Sequence, residues 1–153
     1  MAGEKAEQVA QQAQNFYNKG VAAFERANLE IAIDLLMQCV ILAPGFSRAR
    51  KFLRAAQIAK FRKARKSLVS DKMRDAGAFL QRLKVTGLMK AGKHEAALIE
   101  CEKLLATNPL QSENVELAVA VAEAAGHPDA ALFTVEAAYE NNPDDMTLLR
   151  RVA

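Results

Sequence analysis

Two histidines and two cysteines are the residues of this chain with the widest chemical repertoire. His94 and His127 each lie close behind a glycine, and neither has further His or Cys residues at the spacing that a metal site needs. Cys39 and Cys101 lie within apolar, helix-like patterns. We therefore expect turn histidines, two buried thiols rather than a disulfide, and no metal site.

Carboxylates could act as general acids or bases, but no arrangement of them points to catalysis. Glu95, Glu100 and Glu102 fall on predicted helical faces, where we expect solvated charges. The sequence contains no phosphate-binding glycine loop, nucleophile elbow or HExxH motif. The sequence therefore predicts a non-catalytic protein without a cofactor.

The composition favours an all-α fold. Hydrophobic residues make up 51% of the 153 residues and aromatic residues only 6%, so the apolar content is mostly Ala, Leu and Val, and the chain has only 4 Pro and 7 Gly. No apolar run approaches the roughly 18 residues of a membrane helix, and the polar N-terminal residues lack a signal-peptide core, so we expect a cytoplasmic protein. The pattern predicts helices near 5–26, 29–42, 47–68, 76–91, 94–107, 112–125, 128–141 and 144–152.

A repeated layout precedes three of the prolines. Pro109 and Pro143 are 34 residues apart, which is a period of helical-hairpin repeats. Each of the three prolines has an alanine twelve residues before it and a small residue seventeen before it: Ala32 and Ala27, Ala97 and Gly92, Ala131 and Gly126. The alanine suits a close crossing of two helices, and the glycine suits the left-handed end of the first helix.

These motifs resemble the tetratricopeptide repeat family. The matching segments are 13–44, 78–109 and 112–143, with a divergent unit at 46–77 and a terminal helix at 144–152, so that residues 1–153 form one domain. The resemblance implies helical hairpins stacked into a right-handed superhelix, whose groove is lined by the first helix of each pair. Gly20 matches the glycine that the family places in its first helix, whereas Val85 and Val119 replace it later.

Carried over by position, the resemblance assigns candidate groove residues to four helices: Tyr17, Val21, Phe24, Arg50, Leu53, Arg82, Thr86, Met89, Glu116, Ala120 and Glu123. They give the groove an aromatic end, a basic centre and an acidic end. The alternative for Tyr17 and Phe24 is packing against the polar N-terminal helix. The carboxylate clamp of some family members is absent, since Tyr17 and Val21 occupy its first-repeat positions. The sequence thus predicts a scaffold that binds a partner peptide or protein in the groove.

Positive charge is concentrated in one segment. Residues 47–74 contain eleven basic residues and one acidic residue, a net charge of +10, while the remainder of the chain carries −7. This asymmetry indicates an anionic partner, such as an acidic protein or peptide, unless the charges form only a solvated helix face. The alternative functions are therefore a basic module for nucleic acid or an anionic membrane surface, or a small secretion-type chaperone. The basic patch is expected to include Arg48, Arg54, Lys60, Arg62, Lys63, Arg65 and Lys66.

Two regions leave the architecture open. Residues 47–68 contain neither Gly nor Pro, which favours one long helix. The alternative is two helices with a turn near 60–63. Residues 144–152 form a short helix that either caps the array or begins another repeat. Self-association through an exposed end of the array is a further expectation.

Overall fold

The computed structural model describes residues 2–64 and 71–141, with side chains from 2–64 and 76–141. Within these ranges it contains seven α-helices and no strand, which confirms the all-α class. The helices are α1 (Ala2–Glu25), α2 (Leu29–Leu42), α3 (Ser47–Ala64), α4 (Asp71–Lys90), α5 (His94–Thr107), α6 (Ser112–Ala124) and α7 (Pro128–Asn141). The predicted helix 144–152 lies outside the described residues.

The chain forms two compact units, Met1–Ala56 and Gln57–Ala153. In the first unit, α1 packs on α2, and residues 47–56 of α3 complete the core. The two helices meet closely at Gly20, where a Cβ atom would lie only 2.7 Å from Cγ of the fully buried Leu36. The first turns of α1, from Ala2 to Gln12, are exposed. They are rich in Ala, Gln and Glu, whose helix propensity is high.

In the second unit, α4 packs on α5, α5 on α6, and α6 on α7, while α4 also touches α6. The core of this unit is built from small and medium aliphatic side chains of these helices. Ala97 and Ala131 are both buried in it, as predicted. Cys101 is buried here and Cys39 in the first unit, and the two are not joined in a disulfide, which confirms the expectation for them. Burial raises the pKa of the Cys39 thiol to about 11.

The turns that end α1, α4 and α6 share one geometry. The second residue after each of these helices has a positive φ: 59° at Ala27, 73° at Gly92 and 80° at Gly126. The next amide then donates to a carbonyl five residues back, with N···O distances of 2.9, 2.9 and 2.8 Å for Asn28, Lys93 and His127. This is the Schellman pattern, which satisfies carbonyl groups at a helix end.

Ala27 is exposed and takes this left-handed conformation although it is not a glycine. We therefore expect glycine at this position to stabilise the protein. Because a Cβ atom at positive φ costs about 1–2 kcal/mol, Ala27→Gly is expected to raise the free energy of unfolding by about 1 kcal/mol, allowing for glycine's greater freedom in the unfolded chain. Urea denaturation would measure the change. Gly92→Ala is the matched reverse substitution and should lower stability by a similar amount; a loss of stability in Ala27→Gly would contradict the assignment.

α3 continues without a break from Ser47 to Ala64. The alternative with a turn near 60–63 is therefore wrong, and the expected end of the helix at 68 falls outside the described residues. α3 contributes residues 47–56 to the first unit and 57–64 to the second. Charged side chains do not interrupt this helix, because Lys and Arg are good helix formers and α3 contains neither Gly nor Pro.

Candidate functional site

Six of the predicted groove residues lie on α4 and α6, which touch each other in the second unit. Thr86 and Glu123 are exposed, whereas Arg82, Met89 and Glu116 are half-buried. Each of these five side chains is therefore accessible to a partner, although only Thr86 and Glu123 are exposed. Ala120, another groove candidate on α6, is exposed as well.

Arg82 joins α4 to α6 through two contacts. Its Nη1 donates a hydrogen bond to Oδ1 of Asn114 at 2.8 Å, and its Nη2 lies 3.6 Å from a carboxylate oxygen of Glu113. Asn114 is fully buried, so its bond to the guanidinium is shielded from water. Arg82 is thus held in one orientation rather than moving freely above the surface.

The loop between α5 and α6 holds Asn114 in turn. Asn114 Nδ2 donates to the backbone oxygen of Asn108 at 3.1 Å. The side-chain oxygen of Asn108 accepts the backbone amides of Leu110 and Gln111, both at 3.1 Å. Asn108 directly precedes Pro109 of the repeated layout. Sequence reasoning missed Asn114, whose only signal was an amide side chain in the first turn of a helix.

The aromatic candidates form a cluster in the first unit. The ring centroid of Tyr17 lies 4.8 Å from that of Phe46 and 6.0 Å from that of Phe52. The ring centroids of Phe24 and Phe52 are 5.8 Å apart. These rings are half-buried, as is Val21 beside them on α1. The ring partners of Tyr17 and Phe24 therefore come from the start of α3 and the residue before it, and each ring keeps an accessible part.

Three residues predicted for partner binding are buried. Leu53 is fully buried in the core of the first unit. Arg50 is buried and its Nε donates to the backbone oxygen of Pro44 at 3.1 Å, and Arg54 is buried as well. They lie on the side of α3 that packs inward, at i, i+3 and i+4 of one helical face. None of the three side chains is exposed for contact with a partner.

The other members of the basic patch remain on the surface where the structure describes them. Arg48, Lys60, Arg62 and Lys63 are exposed. Arg65 and Lys66 lie outside the described residues. The burial of two arginines means that the exposed charge of the segment is smaller than its net charge of +10.

Glu100, expected to be solvated, is instead buried among three donors. Its carboxylate accepts a hydrogen bond from the side-chain amide of Gln81. It also forms ion pairs with Lys84 and Lys103, whose Nζ atoms lie 3.2 and 3.0 Å from Oε1. Burial alone raises the pKa of this carboxyl, but the hydrogen bonds from Lys103, Gln81 and Lys84 outweigh it, so the pKa is lowered. Its contribution to stability is complete above the ordinary pKa of Glu and is lost as the pH falls through the lower, folded-state value.

Glu102 is also buried, contrary to the expectation for it. The amide of Gln57, on α3, donates to the backbone oxygen of Glu102 at 3.1 Å and lies 3.5 Å from its carboxylate. Gln57 is itself fully buried. This contact joins the last part of α3 to α5 within the second unit.

Both histidines connect neighbouring hairpins rather than standing free in their turns. His94 Nδ1 lies 3.1 Å from the backbone oxygen of Ala124, at the end of α6. Since a carbonyl oxygen only accepts, this nitrogen carries the proton. His127 Nε2 lies 2.7 Å from a carboxylate oxygen of the exposed Glu95. The two turns are therefore joined by two reciprocal contacts, one from each repeat.

A hollow of about 160 Å³ lies between α6 and α7. Its lining is mostly aliphatic, with one carboxylate and one proline: Val119, Glu123, Pro128, Ala131, Leu132 and Val135. Sequence reasoning selected Glu123 here but not Leu132, an exposed leucine of α7. The sequence does indicate Leu132 through its position, which is equivalent to that of Leu98 one repeat earlier.

No protein-family model, curated protein or solved structure matches this chain.

No group of three or more His, Cys, Asp or Glu residues within 2–64 and 76–141 is arranged to hold a metal ion. Among the seven helices, none is long and apolar enough to cross a membrane.

Proposed function

We propose that this chain is a tetratricopeptide-type repeat protein, a right-handed array of helical hairpins that binds a partner protein or peptide in its groove without catalysis. One observation carries the proposal. The same hairpin turn recurs at Ala27, Gly92 and Gly126, with the same positive φ and the same hydrogen bond. The last two turns are 34 residues apart, and buried Ala97 and Ala131 follow each by five residues.

The adjacent helices α4 and α6 support a binding role for the groove residues. Thr86 and Glu123 are open to solvent, and Arg82 is held in place by the buried Asn114. A side chain that is ordered before binding loses little conformational freedom when a partner arrives, which favours affinity. The surface offers a cation, a hydroxyl and a thioether on α4 and carboxylates on α6. It suits an extended or helical peptide with an acidic residue near α4 and a basic residue near α6.

A bulky substitution in the groove tests this proposal. Partners are first captured from native cell extract with the full chain and identified by mass spectrometry, and the dissociation constant of each is then measured. Thr86→Trp is expected to weaken the relevant partner at least tenfold, or about 1.4 kcal/mol, because the indole fills the space between α4 and the ligand. Ala96→Trp is the matched control, since Ala96 is exposed on the second helix of the same hairpin.

Equal affinity of the two tryptophan variants for every captured partner would refute groove binding. The basic segment predicts a different pattern. Replacing Lys60, Arg62 and Lys63 with Glu would then abolish binding while Thr86→Trp leaves it intact. For nucleic acid, the logarithm of the affinity would also fall linearly with the logarithm of the salt concentration.

A further inference from the structure

The last hairpin has an open face where the preceding hairpin is covered. Leu98 on α5 and Leu132 on α7 occupy the same place, 34 residues apart. Leu98 is only 3% exposed, whereas Leu132 is 47% exposed. The same difference holds on the first helix of each hairpin, because Met89 of α4 is half-buried and its counterpart Glu123 of α6 is exposed. Leu98 and Leu132 occupy the same position of the repeat. The difference in their exposure therefore comes from what covers each of them.

The residue Leu98 is covered by a helix with a small aliphatic face. α6 packs on α5, and Leu98 shares its buried cluster with five residues of α6: Val115, Ala118, Val119, Val121 and Ala122. Within 71–141 no helix follows α7 to do the same for Leu132. The hollow described above occupies this place, with Val119, Ala131 and Val135 already buried beneath it. A helix with small side chains on its contact face fits such a floor, because it can approach closely.

The rim of this face is acidic. Residues 112–141 contain six acidic residues and neither Lys nor Arg. Glu123 lines the hollow, while Asp129 and Glu136 flank Leu132 at i−3 and i+4, the spacing of neighbours on one helical side. Residues 142–153 carry two acidic residues and two arginines, so they add no net positive charge to balance the hairpin.

We propose that the hollow between α6 and α7 is a docking site for a basic amphipathic α-helix of a partner protein. Small aliphatic side chains of that helix cover Leu132, in the way that α6 covers Leu98. Lysine or arginine side chains beside its apolar stripe meet Glu123 and Glu136. Apolar contact supplies affinity, and charge complementarity selects a basic helix over an acidic one.

This docking site goes beyond the proposed groove function and shares only Glu123 with it, so that substitutions at Thr86 and Leu132 separate the two. Leu132 belongs to the second helix of its hairpin and was not a groove candidate. Thr86→Trp, which blocks the groove, leaves the hollow unchanged. A failure of either proposal therefore does not decide the other.

A designed peptide provides the test. The probe is a fluorescein-labelled peptide with the sequence of α6, residues 112–124, in which Glu113, Glu116 and Glu123 are replaced by Lys. It keeps the face that already packs on α5, and its charge is reversed. Fluorescence anisotropy with the full chain measures its dissociation constant. The unaltered α6 peptide and a scrambled peptide of the same composition as the probe are expected to bind at least tenfold more weakly.

Substitutions in the protein locate the binding. Leu132→Lys is expected to weaken the probe at least tenfold, because it removes apolar contact and adds a like charge. Ile31→Lys is the matched control, since Ile31 is an aliphatic residue of α2 that is 50% exposed and lies in the first unit. That variant and Thr86→Trp are expected to bind the probe within about twofold of the parent chain, a difference of roughly 0.4 kcal/mol.

Three results would overturn the proposal. The first is an equal affinity of the parent chain and Leu132→Lys for the probe, or of the probe and its scrambled form for the parent chain. The second is an absence of binding that is relieved by deleting residues 144–153, which would assign the face to the chain's own terminal segment. The third is a dimer in sedimentation that Leu132→Lys dissociates, which would assign the face to a second copy.

Discussion

Leu98→Ala is expected to lower the free energy of unfolding by about 2–5 kcal/mol, the cost of a cavity in a packed core. Leu98 is almost fully buried between α5 and α6. Removing its isobutyl group deletes contacts with both helices, and the surrounding side chains can close the space only in part. Urea denaturation, followed by the helical circular dichroism signal, would measure the loss.

Leu132→Ala is the matched control, with the same chemical change one repeat later. Its cost is expected to be about 1 kcal/mol or less, because nearly half of the side chain is already in water. An equal cost for the two substitutions would contradict the open face at Leu132. It would indicate that this leucine is covered in solution by the chain itself or by another copy.

Ala97→Leu is expected to lower the free energy of unfolding by about 1–3 kcal/mol, for the opposite reason. Ala97 is fully buried in the core that α5 shares with its neighbours. Three additional carbon atoms there must push the helices apart or force side chains out of their preferred rotamers. Thermal melting would show a lower midpoint for the variant.

Ala96→Leu separates this effect from the general consequence of a larger side chain on α5. Ala96 is exposed and adjacent in sequence, and leucine has nearly the helix propensity of alanine. Its effect is expected to stay within about 0.5 kcal/mol. Ala131→Leu, one repeat later, should resemble Ala97→Leu, because Ala131 is also buried. Unchanged melting of both buried-site variants would refute the alignment that pairs these alanines.

Helix positions were predictable from the sequence wherever turn residues mark them. α2, α5 and α7 begin and end where the pattern predicted, at 29–42, 94–107 and 128–141. Gly92, Gly126 and Pro109 stop helices locally, and a local cause can be read from local sequence. α4 begins at Asp71 rather than at 76, since no comparable signal marks its start.

The environment of the charged side chains was not predictable in the same way. Glu100 and Glu102 were expected in solvent, but their partners include Gln81 on α4 and Gln57 on α3. Helical periodicity places a side chain on a face, but it does not reveal a donor that lies 45 residues away along the chain. Arg50 and Arg54 illustrate the same limit, because their charge suggested solvent while their place on α3 turned them inward.

The two buried thiols allow the two units to be followed independently. Cys39 lies in the core of the first unit and Cys101 in the core of the second, and neither is bonded to the other. A thiol reacts with an alkylating reagent only as an exposed thiolate, so each cysteine becomes modified when its own unit opens. Peptide mapping of the alkylated chain would therefore give separate opening rates for the two units without introducing any new cysteine.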